Sequence, residues 1–169
     1  MATTLTIQTL VDTNRNSVIK VVGMGGGDAN TLMIRAANLA YAINATGQIS
    51  TLNPKRLNKI AIKRIWGQGQ IDVSKHVTLQ WGGNSNTNIV TFGGGTFDYN
   101  FASGSTQGTI EIPDPSNSTG DIVFTSTAGA NDSWTVFIDI KKDGGSYDQG
   151  QHADPAAFNN YTFEGQVKS

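Results

Sequence analysis

Cysteine is absent from the 169 residues, which excludes a disulfide framework and any thiolate metal site. Charged side chains are also sparse, at 15% against about 25% in an average globular chain. The formal net charge is −1 and the isoelectric point near 6.0, so no global electrostatic pull toward nucleic acid or an anionic membrane follows. No apolar run approaches the roughly 20 residues that span a bilayer. The opening residues, MATTLTIQTLVDTNRN, lack the basic start and apolar core of a signal peptide. The expectation is a single domain made in a cytoplasm, with no membrane, nucleic-acid or small-molecule partner.

Polarity comes instead from neutral groups, with 19 Thr, 15 Asn and 20 Gly. Such a mixture suits strands with hydroxyl-bearing outer faces joined by tight turns. The β-branched runs TLTIQTLV (4–11) and SVIKVVG (17–23) flank the polar turn DTNRN and read as a hairpin. TLMIRA (31–36) resumes as a strand after GMGGGDAN. Residues 37–53 are the least β-like, and Asn53-Pro54 has the form of a helix cap. LNKIAIKRIW fits a helical or a strand face; a strand from about Lys59, ending at GQGQ, is favoured. HVTLQW, IVTF, TFDYNF, GTIEI and DIVFTST follow as short strands. In SWTVFIDIKK, Trp134, Val136, Ile138 and Ile140 alternate with Ser133, Thr135, Phe137 and Asp139, a period of two that marks one buried face. The spacing predicts an all-β chain: an antiparallel β-sandwich, jelly-roll-like, of about ten short strands over residues 1–142. Residues 143–169 are expected to form an extended C-terminal arm packed on the same domain or on a neighbour.

The motifs that resemble chemistry fail when their spacing is checked. GMGGGD is followed by a strand where a dinucleotide site needs a helix, so its glycines are expected to turn the chain. Counting Asp143 as the first position of an EF-hand loop puts Gly145 third, Tyr147 fifth and Asp148 sixth. The loop needs oxygen ligands at the third and fifth positions and glycine at the sixth. No G-x-S-x-G elbow and no nucleophile with a matched base occur, so no enzyme, cofactor or metal site is expected. His76 and His152 are too far apart in sequence for a local pair and read as surface residues. KRLNKIAIKR (55–64) holds five of the 12 basic residues and reads as a solvated edge. Trp81 and Trp134 share a face with aliphatic residues and are expected in the core. Trp66 is the candidate for exposure, and with Tyr99 or Tyr147 it could form a sugar platform.

Several segments taken together resemble virion structural proteins of tailed phages, those of marine phages in particular: TLVDTNRNSVIKVVG, IKRIWGQGQ, TFDYNF, STGDIVFTS and FIDIKKDGGSYDQGQHADPAAFN. The resemblance covers most of the chain. It implies a particle component without catalysis, located in the virion, with phage coat or other virion proteins as partners and with homo-oligomers, trimers among them. A capsid decoration or cement protein is the leading form; a neck, tail or baseplate component and a carbohydrate-binding module are the alternatives. The candidate partner contacts are Tyr147, Asp148, Gln151, His152, Phe158, Tyr161 and Phe163, the polar and aromatic anchors of the expected arm.

Overall fold

A computed structural model describes residues 2–43, 60–101, 108–113, 117–143 and 146–147. Nine strands lie among them: β1 (Thr4–Asp12), β2 (Asn16–Met24), β3 (Asp28–Ile34), β4 (Ile60–Gln70), β5 (Val77–Gly83), β6 (Thr87–Phe92), β7 (Gly95–Asn100), β8 (Ser118–Ser126) and β9 (Ser133–Lys142). A single 3₁₀ turn, Ala36–Asn38, follows β3. The strands form two antiparallel sheets, ordered β1-β2-β9-β4-β7 and β3-β8-β5-β6. The two sheets pack face to face as a β-sandwich. Strand pairs nest as β2 with β9, β3 with β8, β4 with β7 and β5 with β6, a long hairpin rolled on itself. That nesting is the winding of a jelly roll.

The strands depart from the sequence expectation at GTIEI and at the starts of β3 and β8, which begin at Asp28 and Ser118, ahead of the expected TLMIRA and DIVFTST. GTIEI pairs at one position alone, where Ile110 and Ile62 exchange backbone hydrogen bonds of 2.8 and 3.0 Å. β4 ends with GQGQ at Gln70, as expected, and its two glycines are sterically required, since a β-carbon at Gly67 or Gly69 would run into the carbonyl oxygen of Thr135 or of Gly93. On the core-facing side one cross-strand row reads Gly95, Gly69, Trp134, Gly23 and Leu5. Trp134 is thus flanked by glycine on both neighbouring strands, and the missing side chain at Gly23 makes room for its ring. The Asn53-Pro54 cap lies outside the described residues. The glycines after β2 turn the chain as expected, with Gly25 and Gly27 at φ of 87° and 90°, values that favour glycine.

The core is continuous between the sheets. Ile19, Val21, Ile62, Ile65, Val136, Ile138 and Ile140 of the five-stranded sheet face Val77, Leu79, Trp81, Ile122 and Phe124 of the other. Trp81 and Trp134 are both buried, as their alternating faces require. Trp134 meets Phe92 and Phe124 edge-on, with centroids 5.9 and 5.6 Å away, a favoured arrangement for ring quadrupoles.

A β-carbon added at Gly23 would fall 2.3 Å from Cε2 of Trp134. Gly23→Val is therefore expected to destabilise the fold by about 3 kcal/mol, the upper end of overpacking costs. Urea unfolding should show a lower midpoint with an unchanged slope.

Candidate functional site

Tyr147 stands first among the expected partner contacts, and the structure places it inside its own domain. It is 2% exposed, and its hydroxyl donates to the carbonyl of Ala36 at 2.5 Å. Its backbone bridges to Ala42, and Ile43 N–H donates to Ser146 O at 2.7 Å. Tyr147 is therefore an intramolecular anchor, with its ring buried in its own domain. Asp148, Gln151, His152, Phe158, Tyr161 and Phe163 lie outside the described residues.

Around Tyr147 the chain is tied together by charge. Lys142, at the end of β9, has a side chain with no exposure, and its ammonium reaches Asp12 Oδ1 at 2.5 Å. The same Nζ donates to the carbonyls of Thr13 and Ala40 at 2.6 and 2.7 Å and lies 5.1 Å from the Tyr147 ring centroid. Asp12 in turn accepts from Ser17 Oγ at 2.6 Å and from Ala40 N–H at 2.9 Å. Asp121 of β8 accepts from Ala36 N–H at 2.9 Å. The 3₁₀ connection is thus held at both ends, Ala36 between Asp121 and Tyr147, and Ala40 between Asp12 and Lys142. Burial raises the Asp121 carboxyl above its ordinary range, the hydrogen bonds from Ala36 and Thr119 offsetting only part. Burial also acts to raise Asp12, but the bonds from Lys142, Ser17 and Ala40 outweigh it and leave the carboxyl below 3.8. Lys142 is lowered from 10.5 by burial, against the pull of Asp12.

The outer face of the five-stranded sheet is built by rows that cross every strand. One row runs Asp98, Trp66, Phe137, Lys20 and Gln8, and the next runs Thr96, Gln68, Thr135, Val22 and Thr6. Trp66 and Phe137 stack with centroids 5.3 Å apart and planes 9° from parallel. Arg64 lies over the Trp66 ring at 4.6 Å and forms a two-bond pair with Asp98 at 2.9 and 2.7 Å. That pairing holds the Asp98 carboxyl below its usual range. Beside Phe137 a groove of 470 Å³ is lined by Lys20, Gln68, Gln70, Ser133 and Thr135.

The expected sugar platform does not form from the residues first considered. Tyr99 pairs with Ile65, and Trp66 with Asp98, so Tyr99 and Trp66 point to opposite faces of the sheet. Tyr147 is buried, and the Trp66 ring is already engaged by Phe137 and Arg64. Phe137 is the residue missed, although its place among Ser133, Thr135 and Asp139 put it on the non-core face. His76 is exposed, with its backbone N–H donating to Thr127 Oγ1 at 2.9 Å. No group of three His, Asp or Glu side chains suited to a metal ion lies among the described residues. Nor is any helix among them long and apolar enough to cross a membrane.

Exposed large apolar side chains are most frequent on one hairpin, where Ile7 lies on the core-facing side and Val11 and Met24 on the outer side near opposite ends. Of seven among the described residues, Ile7, Leu10, Val11 and Met24 belong to the β1–β2 hairpin. No family model, curated protein or solved structure matches the chain.

The Lys142 tie has a measurable consequence. Asp12→Asn leaves a buried ammonium uncompensated and is expected to cost about 3–5 kcal/mol, the usual penalty for halving a buried ion pair. Because the folded value of Asp12 is lowered, its stabilisation is complete above 3.8 and is lost as pH falls through the folded value. Lys142 has the opposite sign: the cost of burying its charge is relieved as pH rises through its lowered folded value toward 10.5. Urea stability measured across the acid range should fall in the parent protein, and the fall should be shallower in Asp12→Asn.

Proposed function

We propose that this chain is a non-catalytic structural component of a tailed-phage particle, a decoration protein that bridges coat subunits and stabilises the head. The observation that supports the reading is that four of the seven exposed large apolar side chains among the described residues, Ile7, Leu10, Val11 and Met24, lie on the β1–β2 hairpin. Clustered exposed apolar side chains mark contact surfaces, and jelly rolls recur in capsid and lectin domains. The proposed arm toward a neighbouring subunit is the C-terminal segment 143–169, of which residues 148–169 lie outside the described residues. Contact with several subunits at once favours the assembled lattice over a free coat protein. Mass spectrometry of separated heads and tails, followed by cryo-electron microscopy, tests this. The chain is expected in heads; its presence in tails alone assigns it to the neck, tail or baseplate, and its absence from particles overturns the proposal.

A second reading, a carbohydrate-binding module, is supported by the groove beside Phe137, where one aromatic edge meets two glutamines, two hydroxyls and Lys20. Binding sites of this class combine an apolar surface with a few placed polar groups. On a glycan array, Phe137→Ala and Gln68→Ala should each weaken a bound glycan about tenfold, equivalent to about 1.4 kcal/mol. An array on which the parent protein retains no glycan sinks this reading.

A further inference from the structure

The two sheets differ in width, five strands against four, and the mismatch leaves β1 overhanging. The core-facing row Phe97, Gly67, Val136, Val21 and Ile7 is buried at Val136 and Val21 but ends at Ile7, which is 48% exposed. Ile7 thus points toward the core side of the sheet with little beneath it. β1 is also the longest of the four edge strands, at nine residues against seven for β3 and six each for β6 and β7. From Thr4 to Val11 it carries no charge, and from Thr4 to Thr9 it pairs with β2 without a break. The other edges are guarded. β7 bears the Arg64–Asp98 ion pair, β3 opens with Asp28 and has two register breaks, and β6 is short with one break. Edge strands without such protection pair with other strands.

We propose that the outer edge of β1 pairs antiparallel with β1 of a second copy of this chain, joining two sheets into one of ten strands. The symmetry of that pairing restricts the register, and the uncharged stretch with its exposed Ile7 indicates the centre. A two-fold axis perpendicular to the sheet keeps core-facing residues on the core-facing side, so paired residues share parity and the axis passes through one residue. Ile7 is the middle of Thr4–Leu10. An axis there sets Ile7 opposite its own symmetry mate, Thr6 opposite the second copy's Gln8, and Leu5 opposite the second copy's Thr9. Every pair is uncharged, and the two overhanging isoleucines cover each other, which supplies the apolar contact each copy lacks. A heterologous partner would have to match this neutral strand, whereas a second copy does so by construction. The pairing is isologous and closes at two, so this surface makes dimers. The contact is narrow, about 24 Å along the paired stretch Thr4–Leu10, so association is weak and concentration-dependent.

This inference rests on the reading of the hairpin as a contact surface but not on the particle that would carry it. Sedimentation velocity over a concentration series tests it on the full-length chain. The parent protein is expected to shift from monomer to dimer. Ile7→Lys and Ile7→Glu should each dimerise at least about tenfold more weakly, because like charges then face one another across the axis. An equimolar mixture of the two should recover the dimer, which a misfolded variant could not do. A parent protein that stays monomeric throughout, a trimer, or a dimer indifferent to both substitutions overturns the proposal. Presence in virions with a monomeric parent overturns this inference alone, and a dimer absent from virions overturns the particle reading alone.

Discussion

The insertion of β9 into the middle of the first sheet is the constraint on which the rest depends. β9 pairs with β2 on one side and β4 on the other, so neither the hairpin nor the β4–β7 pair belongs to a common sheet until it arrives. Ile19 and Ile138 are register partners although 119 residues (138 − 19) separate them. Pairing of such distant segments carries a large closure cost before any contact rewards it. The alternation along β9 meets that cost, since every second side chain from Trp134 to Ile140 is buried. Trp134 sets the local geometry further, because its ring fits only where Gly23 leaves space.

The Lys142 tie completes what β9 begins. One ammonium joins the hairpin turn, the β3–β4 connection and the end of β9 through Asp12, Thr13 and Ala40. A buried ion pair is weak evidence for net stability, because desolvation offsets most of the attraction. Its worth here is geometric: three donors on one nitrogen specify where three segments meet, and an apolar replacement would not. Tyr147 extends the same junction to the chain beyond β9, so the segment expected to pack on its own domain or on a neighbour is held to its own domain at Tyr147.

Much of the fold was legible in the sequence because strand alternation is a local signal. The hairpin at DTNRN, the glycine turn after β2 and the buried faces of Trp81 and Trp134 follow from period and turn chemistry alone. Where the reading missed, a non-local contact decided. Position 23 must be glycine because the ring of a tryptophan 111 residues away (134 − 23) fills the space beside it, and no window around Gly23 contains that information. GTIEI has the composition of a strand but finds a partner at Ile110 only. The surface was less legible. Trp66 and Tyr99 were grouped by type, and their opposite faces follow from a register that composition does not encode. Lys142 reads as one more solvated lysine until β1 and the 3₁₀ connection close over it.

The sequence by itself determined the class of fold, since neutral polar residues alternating with β-branched ones bury one face only as sheets. It also determined the absence of thiol chemistry and the failure of the calcium and nucleotide motifs, because these depend on residue type and local spacing. Only the tertiary structure decided which strands neighbour one another, and from that the aromatic row on the outer face, the buried ion pair and the unmatched fifth strand. Each of these joins residues far apart in the chain, and strand order, unlike strand period, is settled by the packing of the whole domain.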